Sequence, residues 1–200
     1  MKSTSYCLAI GLFTPVALAG CNKAVSGQNV IASANASNSS VASTSKDPIT
    51  SAESAAPANI ARDAAIVVPD AKGDMQIVRK GKNGWTCMPD TPSTPGPDPM
   101  CWDANAGKWL AAYMGHKTPP TGVVGVIYML AGGSDPGNTD PYADKPHQGE
   151  DWVTTGPHIM VVGSKEVLAG YPEGVKPDTS APYVMWAGTP YAHLMIPVTR

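Results

Sequence analysis

Two short segments near the carboxyl terminus share one pattern and constrain the fold of this chain most strongly. Residues 157–163 read Pro-His-Ile-Met-Val-Val-Gly, and residues 192–198 read Ala-His-Leu-Met-Ile-Pro-Val. Each segment is rich in branched apolar residues and is bounded by Gly or Pro, which predicts a β-strand. Because side chains alternate across a strand, each segment places a histidine and a methionine on one face and aliphatic residues on the other. We expect the aliphatic face to be core.

The opposite face of both predicted strands offers an imidazole and a thioether two residues apart. Such ligands favour copper, and Cu(I) in particular, over hard cations. If the two strands are neighbours, four side chains can form one soft-metal site: His158, Met160, His193 and Met195. The alternative is that the methionines fill an irregular core and that each histidine bonds a backbone group.

The main predicted helix covers residues 103–114, with Asp103 as its N-cap and Gly115 at its end. The apolar run at residues 123–131 predicts a central strand that is covered on both faces. The helix and this strand are the longest elements that the pattern predicts.

The remaining strands are short and predict antiparallel pairing. Residues 75–79 and 85–87 flank a turn signal and read as a hairpin, and residues 183–186 form a second hairpin with the last His–Met segment. Few connections are long enough for parallel crossovers. The predicted fold class is therefore α+β, an antiparallel sheet covered by one main helix.

The amino terminus reads as a targeting segment. A short apolar run at residues 7–19 follows Lys2 and is too short to span a bilayer as a helix. It ends in Leu18-Ala19-Gly20-Cys21, which resembles the lipobox of bacterial lipoproteins. The resemblance implies that a signal peptide, residues 1–20, is removed and that Cys21 is lipidated, with acyl chains such as palmitate as the anchor. The alternative is cleavage after Ala17-Leu18-Ala19, which would release a soluble protein.

The mature chain then divides into two parts. Residues 21–63 are dominated by Ser, Ala and Asn and hold no aromatic residue, which predicts a lipidated flexible linker. Residues 64–200 predict a single globular domain.

If Cys7 leaves with the signal peptide and Cys21 carries lipid, Cys87 and Cys101 remain. Two such cysteines in an oxidising envelope predict a disulfide bond. The bond would clip a loop with five prolines, which can form neither a helix nor a central strand. A two-cysteine metal site is the alternative, whereas no Cys-x-x-Cys motif supports thiol exchange.

Several stretches between residues 74 and 198 carry a further resemblance, among them Asn83-Gly84-Trp85-Thr86-Cys87, Asp98-Pro99-Met100-Cys101 and Thr155-Gly156-Pro157-His158. With them, the folded region resembles an uncharacterised family of secreted bacterial proteins. The resemblance implies a single envelope domain and no particular activity.

Charge and composition limit the kinds of partner that we expect for this protein. The net charge is −2 and Lys and Arg do not cluster, which argues against nucleic acid as a partner. The membrane would be reached through the lipid anchor alone. We expect a monomeric, lipid-anchored protein of the bacterial cell envelope, facing the periplasm or the exterior. Its predicted role is a non-enzymatic binding or structural module for an envelope protein or a glycan, with Trp85, Trp102 and Trp186 as candidate ligand-binding residues.

Other functions remain open as alternatives. The first is copper binding by the His–Met pairs, with copper as the possible cofactor. An envelope hydrolase is the second, since Ser134 follows two glycines at the end of an apolar strand, although the nucleophile-elbow pattern is absent and we assign no catalytic residue. A third is calcium binding by the loop that carries Asp135, Asn138, Asp140 and Asp144, whose spacing differs from that of an EF-hand.

Overall fold

The structure is a computed structural model and describes residues 47–199. Within this range the helices are α1 (Pro48–Glu53), α2 (Ala58–Ala61) and α3 (Ala104–Met114), and a 3₁₀ turn covers Glu166–Leu168. The strands are β1 (Ala65–Pro69), β2 (Met75–Arg79), β3 (Thr86–Met88), β4 (Met100–Trp102), β5 (Gly125–Met129), β6 (Gly133–Asp135), β7 (Val153–Thr155), β8 (His158–Val162), β9 (Tyr183–Met185) and β10 (His193–Pro197). No helix in this part of the chain is long and apolar enough to cross a membrane.

Eight of these strands form one sheet in the order β2-β1-β3-β4-β5-β8-β10-β9, and β6 pairs with β7 in a small second sheet. The β1–β3 pair is parallel and the other neighbours are antiparallel. The predicted α+β fold with an antiparallel sheet and one main helix is confirmed. The apolar run also forms a central strand as predicted, because β5 lies between β4 and β8.

One predicted hairpin is wrong. Strands β2 and β3 do not pair with each other, because β1 lies between them, antiparallel to β2 and parallel to β3. The side chain of Asn83 instead accepts the N–H of Trp85 and donates to the carbonyl of Ile60, which ties this turn to α2. The apolar pair Ile66 and Val67 of β1 is buried, which favours the inner position for that strand.

The predicted boundary between linker and domain is also wrong. Residues 47–63 were assigned to a flexible linker, yet they form α1 and α2. Asp47 caps α1 by accepting the N–H of Thr50, and Pro48 occupies the first turn, where proline is tolerated. The two helices and the turn between them bury small residues against the sheet: Ala52, Ala55, Ala56 and Ala61. Alanine contributes little to a hydrophobicity average, but it allows a helix to approach a sheet closely.

The position of α3 is fixed at its amino terminus. Asp103 accepts the N–H of Ala106 in the helix and the N–H of Val126 in β5, so one carboxylate joins both elements. Gly125 makes the close approach possible, because a Cβ atom there would lie 2.3 Å from the backbone nitrogen of Ala106. The helix therefore covers the face of β5 that Ile127 and Met129 share.

The two faces of the sheet carry separate clusters. The larger cluster lies under α3 and contains the side chains of the His–Met face, whereas Leu194 belongs to a smaller cluster on the opposite face beneath the 3₁₀ turn. The expectation that the aliphatic face would be the core is therefore only half right. Ile159 and Val161 are partly exposed, while Met160 and Met195 are buried.

The predicted disulfide between Cys87 and Cys101 is confirmed. The two residues face each other in the β3–β4 register and are fully buried under α1 and α2. The bond closes the proline-rich segment at its base. Because that segment leads into β4, the bond fixes the place from which Asp98 and Met100 reach the opposite face of the sheet.

Candidate functional site

A cavity of about 140 Å³ lies between the His–Met face of the sheet and α3. It is named here the His–Met cavity. Its lining combines the two His–Met pairs, two further methionines, three aromatic residues, two aspartates, one serine and one leucine. In that order they are His158, Met160, His193, Met195, Met100, Met129, Trp109, Tyr113, Trp186, Asp98, Asp135, Ser134 and Leu110. The four residues that the sequence nominated as metal ligands thus line one cavity.

The strand register explains why they meet. Strands β8 and β10 are antiparallel neighbours in which Met195 lies opposite Met160 and Pro197 lies opposite His158. The two thioethers are therefore side by side. The histidines lie on either side of them along the strand direction, four residues or about 13 Å apart at the backbone. Their side chains line the same cavity, so the methionines occupy the space between the imidazoles.

Each imidazole is held in the same way. The Nδ1 atom of His158 lies 2.7 Å from the carbonyl oxygen of Gly156, and that of His193 lies 2.9 Å from the carbonyl oxygen of Tyr191. A carbonyl can only accept, so we assign the proton to Nδ1 in both rings. Nε2 then carries the lone pair. In metal-ligating histidines a hydrogen bond of this kind, made by the nitrogen that does not bind the metal, orients the imidazole.

Burial keeps both imidazoles neutral. Each histidine is 1% exposed. Burial is the main reason why the pKa of His193 is lowered to about 4; the hydrogen bond to Tyr191 opposes this shift in part, and the nearby His158 adds a smaller lowering. Burial also lowers the pKa of His158. A neutral imidazole can ligate a metal without first losing a proton.

One buried imidazole nitrogen has no hydrogen-bond partner among residues 47–199. The Nε2 atom of His158 is buried and makes no hydrogen bond there. An unpaired buried acceptor costs free energy, on the order of 1–3 kcal/mol. A bound cation would use this lone pair.

The sequence did not nominate Met129, yet it belongs to the same group of side chains. Met129 lies opposite His158 in the β5–β8 register and is 7% exposed. A Cβ atom at Gly133 would lie 2.8 Å from Cε of Met129 and 3.3 Å from Cε1 of His158, so both side chains pack on this glycine. The sequence around Met129 is apolar on both faces of its strand, so it does not distinguish this methionine from a core residue. Met129 could be found only from the pairing of the strands.

Trp186 closes one side of the cavity in a strained backbone conformation. Its φ angle is +53°, which is unusual for a bulky residue. The side chain of Asn138 accepts its backbone N–H at 2.9 Å, and the hydroxyl of Thr189 donates to its carbonyl at 2.8 Å. The indole lies 5.1 Å from the ring of His193. Its own Nε1 atom is buried without a hydrogen-bond partner in the described part of the chain.

Two carboxyl groups line the cavity as well. Asp98 comes from the proline-rich segment and Asp135 from β6. Burial raises the pKa of Asp135 to about 7, with an added contribution from the charge of Asp98. Burial likewise raises the pKa of Asp98 to about 6, in part opposed by a hydrogen bond from Thr94. Both groups exchange protons near neutral pH.

The three candidate ligand-binding tryptophans do not form one exposed patch. Trp186 is 7% exposed inside the larger cluster. Trp85 packs on the disulfide face, 5.4 Å from the ring of Tyr128, whereas Trp102 packs on the opposite face. Because side chains alternate along β3 and β4, Trp85 and Trp102 lie on opposite faces of the sheet. Of the three, only Trp186 lines the His–Met cavity.

The loop proposed for calcium does not gather its four residues. The amide of Asn138 donates to the carbonyls of Gly174 and Val184 and accepts from Trp186. Asp140 lies 3.2 Å from His147, Asp135 lines the cavity and Asp144 is exposed. The side chains of Asn138, Asp140 and Asp135 are therefore each used in another place.

Ser134, the candidate nucleophile, lies 3.2 Å from the hydroxyl of Thr154. Within residues 47–199 no hydrogen bond joins it to a histidine. A nucleophile needs a base in hydrogen-bond reach, and that pair is missing here. The predicted lipidation site, Cys21, lies outside the described residues.

Among residues 47–199, no three His, Cys, Asp or Glu side chains group as a metal site would require. A metal site in this cavity would therefore have to count thioethers among its ligands. Comparison of the chain with protein-family models, with curated proteins and with solved structures gave no match. The resemblance to secreted bacterial proteins accordingly stays a prediction.

Proposed function

We propose that this protein is a non-enzymatic binding module of the bacterial cell envelope whose ligand is Cu(I), held in the His–Met cavity. The observation that carries the proposal is the pair of buried imidazoles, each with Nδ1 bound to a carbonyl, in a cavity that four methionines also line. The nitrogen and thioether donors of this proposed ligand set favour Cu(I) over hard cations.

In this proposal His158 and His193 supply nitrogen, and Met160 and Met195 supply sulfur from the space between them. Trp109 and Trp186 flank the ring of His193 at 5.5 Å and 5.1 Å and shield that side from water. A dry, aromatic surrounding protects Cu(I) from oxidation. Met129 offers a third thioether beside His158.

The test is an anaerobic titration in which the protein competes with a chromogenic chelator for Cu(I). We expect one tightly held equivalent for the wild-type protein. A His158→Asn/His193→Asn variant keeps a side-chain N–H near each carbonyl but lacks Nε2, so its affinity should fall roughly 100-fold or more. The matched control is His147→Asn, since His147 is exposed and does not line the cavity.

A second variant guards against misfolding. Met160→Leu/Met195→Leu preserves side-chain volume, and such exchanges cost little stability. It should fold and also bind Cu(I) more weakly. Unchanged affinity in both double variants would overturn the proposal and return the histidines to the role of core residues.

An envelope hydrolase is the second candidate, favoured by the carboxyl groups of Asp98 and Asp135, which titrate near neutral pH inside the cavity. Such groups suit general acid–base catalysis. Turnover of a glycan or peptide substrate that is lost in Asp135→Asn and kept in His158→Asn/His193→Asn would favour this candidate over copper binding.

A further inference from the structure

Three methionines and one histidine stand directly opposite one another across four neighbouring strands. Met88 in β3 lies opposite Met100 in β4. The register of β4 with β5, continued by one residue, places Met100 opposite Met129. Met129 in turn lies opposite His158 in β8. This row of four residues, named here the methionine ladder, therefore runs across one end of β3, β4, β5 and β8.

The side chains of the ladder share the face of the sheet that carries the cavity. Cys87 and Cys101 belong to the cluster under α1 and α2, so their strand neighbours Met88 and Met100 lie on the opposite face. Residues directly opposite on antiparallel strands have Cβ atoms about 4.5–5.5 Å apart. A methionine side chain spans such a distance, so consecutive members of the ladder are within reach of each other.

Exposure to solvent falls along the ladder towards the cavity. Met88 and Met100 are partly exposed, whereas Met129 is 7% exposed and His158 is 1% exposed. The cavity lining includes Met100 but not Met88, which stands one strand further out. Of the four methionines that line the cavity, the other three are buried. Met100 is therefore the thioether at which a metal ion from solvent first meets the cavity.

Two carboxyl groups stand near the outer end of the ladder. The backbone N–H of Asp98 donates to Oδ1 of Asp90 at 3.0 Å, and Asp98 lines the same cavity as Met100. Carboxylate charge attracts a cation and repels an anion. The outer end of the ladder therefore suits a positively charged soft ion.

We propose that Met88 and Met100 form the entrance through which Cu(I) reaches the His–Met cavity. The proposal rests on the proposed function, because it takes the cavity as the destination. Thioethers are soft, neutral ligands that suit Cu(I). Passage along a row of sites requires each site to bind weakly enough to release the ion to the next one. A pair of thioethers meets that condition at the entrance, and the imidazole of His158 ends the row.

No electron moves in this transfer. A Cu(I) ion leaves the ligands of its donor as dative bonds form from the Sδ atoms of Met88 and Met100. Those bonds break in turn as Sδ of Met129 and Nε2 of His158 bind the ion. The metal remains Cu(I) from donor to cavity.

The first experiment asks whether the entrance binds a soft ion. The full-length protein is labelled with ¹³C at the methionine methyl groups and titrated with Ag(I), an air-stable substitute for Cu(I). Met88 is the diagnostic signal, because it lies outside the cavity lining. We expect it to shift in the wild-type protein and also in the His158→Asn/His193→Asn variant. No movement of the Met88 signal up to about two equivalents of Ag(I) would overturn the proposal.

The second experiment measures how fast the cavity is loaded. Trp109 and Trp186 line the cavity, so tryptophan emission after stopped-flow mixing with limiting Ag(I) reports the arrival of the ion. Met88→Leu preserves side-chain volume and costs little stability. In this variant the loading rate should fall at least about fivefold, while the final affinity of the cavity stays as in wild type.

Met75→Leu is the matched control. Met75 is 45% exposed and lies in β2, which β1 separates from β3. Strand β1 carries no methionine, so Met75 is not part of the ladder. This variant should load at the wild-type rate. An unchanged rate in Met88→Leu, or an equal loss of rate in Met75→Leu, would contradict the entrance.

The failures of the two proposals are distinguishable in this design. If the signals of Met160 and Met195 respond to Ag(I) and the loading rate of Met88→Leu is that of wild type, the entrance is wrong while the proposed function stands. If the signals of Met160 and Met195 do not respond, metal binding in the cavity is wrong, and the entrance falls with it because it has no destination.

Discussion

At the scale of single residues, the most informative feature is the hydrogen bond that each buried imidazole makes to a carbonyl two positions earlier. Gly156 and Tyr191 provide those carbonyls. One reading of the sequence held that each histidine would bond a backbone group instead of a ligand. In the structure the backbone bond uses Nδ1 alone, so the backbone contact is present in both residues and Nε2 is left for the ligand that we propose.

A pH prediction belongs to Asp135. Its folded-state pKa is raised to about 7 from a usual value of 3.8, so the folded protein binds more protons than the unfolded chain between those values. The free energy of unfolding contributed by this group is therefore fully present below about pH 4 and is lost as pH rises through 7. Asp135→Asn cannot ionise, so relative to wild type it should gain stability as pH rises from 4 to 8.

Urea unfolding at several pH values measures this difference. The control is Asp151→Asn, since Asp151 is an exposed partner of Lys176 with 86% of its side chain accessible. A stability difference between Asp135→Asn and wild type that stays constant from pH 4 to pH 8 would contradict the raised pKa.

At the scale of elements, alternation along β8 and β10 was enough to predict which residues share a face. The four residues can form one site only if the two strands are neighbours, and β8 and β10 do pair directly. Met100 and Met129 could not be found in this way. They come from β4 and β5, and only the pairing of β4, β5, β8 and β10 brings them to the same cavity as His158.

The approach of α3 to the sheet offers an element-scale prediction. In Gly125→Ala the new Cβ would lie 2.3 Å from the backbone nitrogen of Ala106, so helix and strand must separate. We expect a loss of about 1–3 kcal/mol in the free energy of unfolding, as overpacking usually costs. Because α3 contributes Trp109 to the cavity, Cu(I) affinity should fall as well.

Chemical denaturation of Gly125→Ala beside Gly156→Ala tests this. Gly156 lies between β7 and β8, and a Cβ there meets nothing within 4 Å. Gly156→Ala should therefore stay within about 0.5 kcal/mol of wild type. Equal stability of the two variants would show that the close contact between α3 and β5 does not limit packing.

At the scale of the whole molecule, local patterns predicted the sheet, its main helix and its disulfide, but misplaced the beginning of the fold. Strand β1 was not predicted as the partner of β2 and β3. Its pairing with β3 is parallel and leaves no turn signature in the sequence, whereas the turn at Asp70–Asp74 that joins it to β2 does contain turn residues. The helices α1 and α2 were assigned to a linker, because small alanine side chains resemble linker composition. Only the surface they pack against shows that they belong to the fold.

A truncation series tests that boundary. A chain that begins at Asp47 should retain the wild-type free energy of unfolding for residues 47–199. A chain that begins at Ala64 uncovers the buried disulfide and removes Glu53 and the carbonyl of Ala61, both of which accept from Arg79. We expect it to lose about 3 kcal/mol or more. Equal stability of the two chains would show that α1 and α2 are dispensable.

The central claim, that the His–Met cavity binds Cu(I), is tested most directly by anomalous diffraction at the copper edge from crystals of the Cu(I)-loaded protein. The account predicts that the strongest peak lies inside the cavity, within bonding distance of Nε2 of His158 and His193 and of at least one thioether. A strongest peak elsewhere, or density that leaves both Nε2 atoms without metal, would contradict the account.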